Sequence, residues 1–352
     1  MSVDPDRLNQ LIGRAFGDLA AGASGVMVSL GRRLGLYKVM AGAGRLSSPE
    51  VARRAECAER YVREWLHSQV AAEYLLYHPE DQSFEMTPEQ AMVLADEDSP
   101  CYFPAAWEVA ASMWMDEERS AQVFKTGEGF PWGEHHPRLF CGVAAFFRNS
   151  YRGSLVPQWL PALEGVVTKL SAGARVADVG TGHGHSSLLM AEAFPNSNFH
   201  GIDAHAGSID AARANAEAAG LAGRVSFEVG KSTTFAAKGF DLICFFDCLH
   251  DMGDPVGDAR HAAQALAPGG TVMLVEPFAN DQLEQNINAV SRLYYSSSTT
   301  LCCAHSLSEP VGLALGAQAG ETRLRKIFEQ AGYTHFRKAV ATPFNLILEA
   351  RV

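Results

Sequence analysis

Three short stretches of this 352-residue chain combine residue types and spacing that suit chemistry. The first is Asp178-x-Gly180-x-Gly182-x-Gly184, an acid and alternating glycines at the end of a β-rich run. Such glycines allow a tight turn whose backbone touches a ligand, and a helix starting there presents free amides to a carboxylate. Asp178, inside the strand, suits an ammonium group. The dinucleotide pattern G-x-G-x-x-G needs glycine where His185 stands and has no use for that acid. The second stretch, Asp203-Ala204, closes the next β-rich run. An acid there takes both hydroxyls of a ribose, and the competing reading is a plain turn residue. The third is Asp247-Cys248-Leu249-His250-Asp251, with Glu276 at the end of a later run. An unperturbed histidine titrates near neutrality, so His250 suits a general base, against the competing reading of a structural histidine. Asp254-Pro255 reads better as a helix cap followed by a first-turn proline.

Residues so far apart in sequence meet only if strands bring them to one sheet edge. After residue 174, short β-rich runs alternate with helical ones, the mark of a parallel sheet with crossover helices. Strands are expected at 175–179, 198–202, 225–229, 241–246 and 271–275, with helices at 184–194, 207–219 and 255–266. A helix at 321–331 and a hairpin of strands at 333–340 and 344–350 close the chain. Residues 279–319 show no clear period and read as a long segment folding over the site. Before about residue 165 the pattern is mostly helical. A helix over 5–40 is interrupted at its glycines, another starts at Ser47-Ser48-Pro49-Glu50, and a third spans 58–75. A hairpin at 74–86 turns through His78-Pro79-Glu80-Asp81. Helix, turn, helix and wing is a winged-helix order. Further helices are expected at 116–126 and 138–163, around a glycine-rich loop bearing Phe130 and Trp132. That loop, with His135 and His136, suits one wall of an acceptor pocket.

The set Asp178-x-Gly180-x-Gly182-x-Gly184, Asp203, Phe240-Asp241-Leu242-Ile243 and Leu266-Ala267-Pro268-Gly269-Gly270 resembles, in its full order, the core of class I S-adenosylmethionine-dependent methyltransferases. From His250 to Glu276 the chain is similar to small-molecule O-methyltransferases with a winged-helix dimerisation domain, of the caffeate and hydroxyneurosporene type. It is also similar to actinobacterial methyltransferases whose acceptor is unassigned. The resemblance implies an α/β fold: a Rossmann-like seven-stranded sheet with a C-terminal β-hairpin, plus a mostly helical winged-helix domain. Three parts follow: 1–100 for dimerisation, 101–165 as linker and active-site cover, and 166–352 as the cofactor-binding domain.

It further implies S-adenosyl-L-methionine at Asp178, Gly180, Thr181, Gly182, Gly184, Asp203, Ala204 and Asp247. The adenine contact falls by position on Gly230, Lys231 and Ser232, although Lys231 departs from the acid usual there. Phe146-Phe147-Arg148-Asn149-Ser150 is similar to the segment such enzymes place beside the cofactor, which brings in Phe147. A His-Asp pair supplies the base in that group, oriented by a glutamate, which assigns catalysis to His250, Asp251 and Glu276. A second acid of the group falls close to Glu321. The acceptor is a small molecule, methylated on oxygen, nitrogen or sulfur, with oxygen favoured.

Bulk properties bound the alternatives. A formal net charge of -11 argues against general affinity for nucleic acid or anionic membranes. The rival class is a cofactor-responsive regulator that binds DNA through the winged helix. Its reading helix would start Glu56-Cys57-Ala58-Glu59-Arg60-Tyr61-Val62-Arg63-Glu64, where acids offset the arginines. No stretch is expected to cross a membrane, because 20–36 is broken by Gly25, Gly31, Arg32 and Arg33. Seven irregularly spaced cysteines suggest a reducing cytoplasm rather than a disulfide framework. Cys244, Cys248, Cys302, Cys303, His250 and His305 include no C-x-x-C pair, so no metal is expected.

Overall fold

A computed structural model describes residues 3–352, which form two compact units. Residues 3–111 and 141–149 belong to the first, and 112–140 and 150–352 to the second. The segment 101–165 is thus divided between them.

In the first unit a helix runs Pro5–Arg33, capped by the Asp4 carboxylate, and a short one follows at Leu36–Met40. The break falls at Gly35, whose φ of 68° is left-handed. Gly25 and Gly31 do not interrupt the helix. A Cβ at Gly25 would lie 2.2 Å from the Trp107 ring, and one at Gly31 2.6 Å from Trp65 and Tyr37, so both glycines admit large rings. Of the glycines expected to interrupt the helix, it is Gly35 that does so. By length and apolarity alone the helix Pro5–Arg33 could cross a bilayer. Leu8, Leu11, Ile12, Phe16 and Leu19 along it are exposed.

The helices Ser48–Arg54 and Glu59–Ala71 come next, then the wing of β1 (Leu76–His78) and β2 (Ser83–Glu85), paired antiparallel. Ser47 and Glu50 form a reciprocal cap at the first of these helices. Val28, Tyr37, Met40, Val51, Val62, Trp65, Leu66 and Phe84 make the core, into which Tyr37 donates a 2.5 Å hydrogen bond to buried Gln69.

The second unit is built on a seven-stranded sheet. Its strands are β3 (Arg175–Val179), β4 (Asn198–Asp203), β5 (Val225–Val229), β6 (Phe240–Phe246), β7 (Leu266–Pro277), β8 (His335–Ala341) and β9 (Asn345–Arg351). The order is β5-β4-β3-β6-β7-β9-β8. Strands β3 to β7 are parallel, and the terminal hairpin adds β9 antiparallel to β7, as expected. Buried Val179, Ile202, Ile243, Phe245, Val272, Leu274, Leu346 and Leu348 show why these runs are strands: they fill a continuous core with crossover helices. The order reverses between β3 and β6, where α/β sheets open a crevice for ligands at the strands' carboxyl ends.

The aperiodic segment is mostly helical: Ala289–Ser297, a π turn at Ser298–Cys302, then Cys303–Ser308. Ser296 and Thr299 donate back to the carbonyls of Arg292 and Tyr295, at 2.9 and 2.7 Å. Their hydroxyls are satisfied inside the helix, so a polar run that reads as loop stays helical. The extra residue of the π turn shifts the buried face, which hides the period.

Candidate active site

The glycine turn between β3 and the helix His185–Ala193 sits at the strand-order reversal. Gly180, Gly182 and Gly184 have φ of 76°, 54° and 77°, a conformation that disfavours side chains. A Cβ on Gly180 would lie 2.7 Å from Cys248 Sγ and one on Gly184 2.5 Å from Phe227, whereas Gly182 faces open space. Behind the turn Asp178 is buried. Its Oδ2 accepts from Thr181, Ser186 and Ser187 at 3.0, 2.6 and 2.7 Å, while its Oδ1 is buried with no partner. Burial raises the carboxyl above its ordinary range, against the three hydroxyls that lower it. An orphaned buried carboxylate oxygen beside a glycine cradle suits a cationic group such as a ligand ammonium.

Asp203 ends β4, with Oδ2 accepting from the Gly182 amide (2.9 Å) and Oδ1 from the His205 amide (2.8 Å). It therefore braces the glycine turn. Ala204 beside it is exposed, as is Lys231. Gly230 donates to the Asp203 carbonyl at 2.9 Å, and Ser232 hydrogen-bonds buried Asp258. Burial pushes the Asp258 carboxyl up to about 7, despite Ser232.

The ends of β6 and β7 hold a different cluster. His250 lies on a 3-10 turn, Leu249–Asp251, and is 3% exposed. Its Nδ1 meets Glu276, from the end of β7, in a short hydrogen bond, and its Nε2 lies 2.8 Å from Asp251 Oδ1. Burial alone would lower its pKa, but Asp251 and Glu276 together hold it well above the usual value. Asp251 falls below the usual range: burial opposes this, and the His250 charge overcomes it. Cys302, from the π turn, hydrogen-bonds both residues, and burial raises its thiol to about 12. Asp247 takes a left-handed φ of 50° at the end of β6. Its Oδ1 accepts from Asn345 at 2.9 Å, and its Oδ2 is a second buried orphan.

Beside this cluster Trp132 donates its backbone amide to His305 Nδ1 (3.1 Å), and Phe130 packs on His135 with ring centroids 3.9 Å apart. Asp116 holds His135 Nδ1 at 2.9 Å. Phe140 stacks on His205 at 4.6 Å, two residues from Asp203.

The family model described as a methyltransferase domain matches residues 170–332, the whole of this constellation except Asn345 and the 116–140 segment. Residues 170–332 are a methyltransferase domain. Residues 22–96 match the model described as an Rv2258c-like winged HTH domain. The chain's fold is shared with mitomycin 7-O-methyltransferase MmcR, at 19% identity and TM-score 0.68 over 99% of this chain and 100% of that one. An O-methyltransferase family protein from Burkholderia thailandensis matches at 17% identity and TM-score 0.71, over 100% and 99%. Human N-acetylserotonin methyltransferase, solved in complex with SAM, matches at 16% and 0.70, again over 100% and 99%. The Asp178 orphan and the glycine cradle fit the methionine end of S-adenosylmethionine, the molecule bound in that human enzyme.

The structure brings Asp178, Gly180, Thr181, Gly182, Gly184, Asp203 and Gly230 along the β3–β5 edge, and Asp247, His250, Asp251 and Glu276 along β6–β7. Phe147 belongs to the first unit and packs on Phe146. Glu321 pairs with Arg325 and Lys338 at 2.8 and 2.9 Å, away from His250. Asp254 caps its helix through the Gly257 amide, as its sequence suggests. Ser186, Ser187 and Asn345 carry no signal in sequence, because their roles follow from which face of a helix or strand meets the buried acid.

Proposed function

We propose that the methyltransferase moves the S-adenosylmethionine methyl group to a hydroxyl of a small aromatic molecule. S-adenosylmethionine supplies a methyl on a sulfonium, so the protein's task is to align the acceptor and take its proton. The observation that carries this reading is His250, clamped between Glu276 and Asp251 beside the cofactor edge. Glu276 fixes the ring through Nδ1, leaving Nε2 for the acceptor once Asp251 yields to it. Phe130, Trp132 and His305 supply an aromatic wall. Asp178, Gly180, Thr181, Gly182 and Gly184 hold the methionine end, Asp203 and Ala204 the ribose, and Gly230, Lys231 and Ser232 the adenine side. Asp247 offers its orphaned oxygen to the ammonium. The oxygen preference and the aromatic class draw on the named 7-O-methyltransferase and on the N-acetylserotonin enzyme. A screen of phenols, thiols and amines against labelled S-adenosylmethionine tests this. Transfer to phenols supports the reading, and transfer confined to amines or thiols overturns it.

The same reading places two copies together through the first unit, inside the cytoplasm. The exposed Leu8, Leu11, Ile12, Phe16 and Leu19 form the face such pairing covers. Phe16→Lys should turn a dimer into a monomer by light scattering; a wild-type monomer contradicts it. DNA is not the partner in this reading, since Arg60 and Arg63 are bound to Glu64 and Glu59 on their own helix.

A further inference from the structure

His250, Asp251 and Cys302 bring three donor atoms of three kinds to one buried point. Nε2, a carboxylate oxygen and Sγ all lie within 4.8 Å of one another. The contact of Nε2 with Asp251 Oδ1 is short, 2.8 Å, yet Oδ1 has no partner in hydrogen-bond geometry. Glu276 holds the far nitrogen, Nδ1, which is the arrangement that fixes a histidine's tautomer and ring plane when Nε2 binds a metal. Cys302 comes to the point from the end of the π turn at Ser298–Cys302.

We propose that His250 Nε2, Asp251 and Cys302 Sγ form a binding site for a thiophilic divalent cation of the zinc class. Imidazole, carboxylate and thiolate are the ligands zinc takes, with bonds of about 2.0 Å to nitrogen and oxygen and about 2.3 Å to sulfur. Reaching that geometry widens the 2.8 Å contact of Nε2 with Oδ1. Three protein ligands leave a fourth position for water. Binding releases two protons, one from the imidazolium and one from the thiol, and no electron moves. The cation then occupies the nitrogen that the acceptor needs, so metal binding and methyl transfer exclude each other. This site stands whichever acceptor is methylated.

Cobalt(II) tests it directly, because thiolate ligation gives a near-ultraviolet charge-transfer band. The full-length protein should bind one cobalt per chain with that band, and added Zn2+ should bleach it. Cys302→Ser should abolish the band and Cys303→Ser should keep it, with calorimetric binding of S-adenosylhomocysteine confirming that each variant is folded. Should Cys302→Ser fail that check, Asp251→Asn, expected to weaken cobalt binding at least tenfold, takes its place. No band in the wild type, or a band that survives Cys302→Ser or is lost only in Cys303→Ser, overturns the proposal.

Discussion

The two ends of the cofactor crevice solve the burial of charge in opposite ways. At the β3–β4 edge the buried carboxylate of Asp178 is held by three neutral hydroxyls, and one oxygen is left bare. At the β6–β7 edge His250 is held between two carboxylates. Neutral donors hold a group in place without answering its charge, so the first edge stays receptive to a positive ligand. Opposite charges answer each other, so the second edge is nearly self-sufficient and must be opened to act. On the proposed function, the difference separates a binding end from a reacting end.

The contrast can be broken most severely at the reacting end. His250→Ala should cut turnover by about 10²–10⁴-fold, as loss of a positioned base does, with S-adenosylmethionine affinity unchanged. Steady-state kinetics with calorimetry separate the two; unaltered turnover would mean alignment alone suffices. At the binding end, Asp178→Asn should weaken the cofactor by about 10–100-fold, the worth of a charged hydrogen bond. Its effect on the rate at saturating cofactor should be small, and an equal loss in both would erase the distinction.

The pH profile sharpens the comparison further. His250 must lose its proton to accept another, and its folded pKa is raised, so kcat/KM should climb with pH through a limb well above 6.5. Removing one anion with Glu276→Gln lowers that pKa and should shift the limb to lower pH by about one unit, roughly 1.4 kcal/mol. A limb at the same pH in both proteins would show that another group titrates.

Asp258 reports on stability, away from the reacting groups. Its folded pKa of about 7 exceeds the ordinary 3.8, so the folded state keeps a proton that the unfolded state loses. That contribution is complete below the ordinary value and fades as pH rises through about 7. Asp258→Asn should therefore gain stability on the wild type between pH about 5 and about 8, on the order of 2 kcal/mol by denaturant titration. A constant difference across that range would contradict it.

The same contrast explains what the sequence discloses. The binding end depends on local backbone, on glycines at alternate positions and an acid one strand-end away, so Asp178, Gly180 and Asp203 are legible as a string. The strands and the closing hairpin are legible too, because short apolar runs such as Leu346-Ile347-Leu348 are bounded by turn residues and end up buried on both faces. The reacting end gathers from 247 to 345. His250 and Glu276 are visible as types, but the charge state of the histidine is not, since it needs both carboxylates in contact at once. Cys302 and its helices were obscured by hydroxyls that bond back along the chain and by one π turn. The first helix runs on through Gly25 and Gly31 because a glycine in a helix can serve a neighbour's ring.

Calorimetric titration with S-adenosylhomocysteine, on the wild type, Asp203→Ala and His250→Ala, tests the separation of the two ends most directly. The account predicts binding in the wild type, loss in Asp203→Ala, where the ribose contact and the brace on Gly182 vanish together, and near wild-type affinity in His250→Ala. Binding that survives Asp203→Ala, or that disappears in a folded His250→Ala, would contradict it.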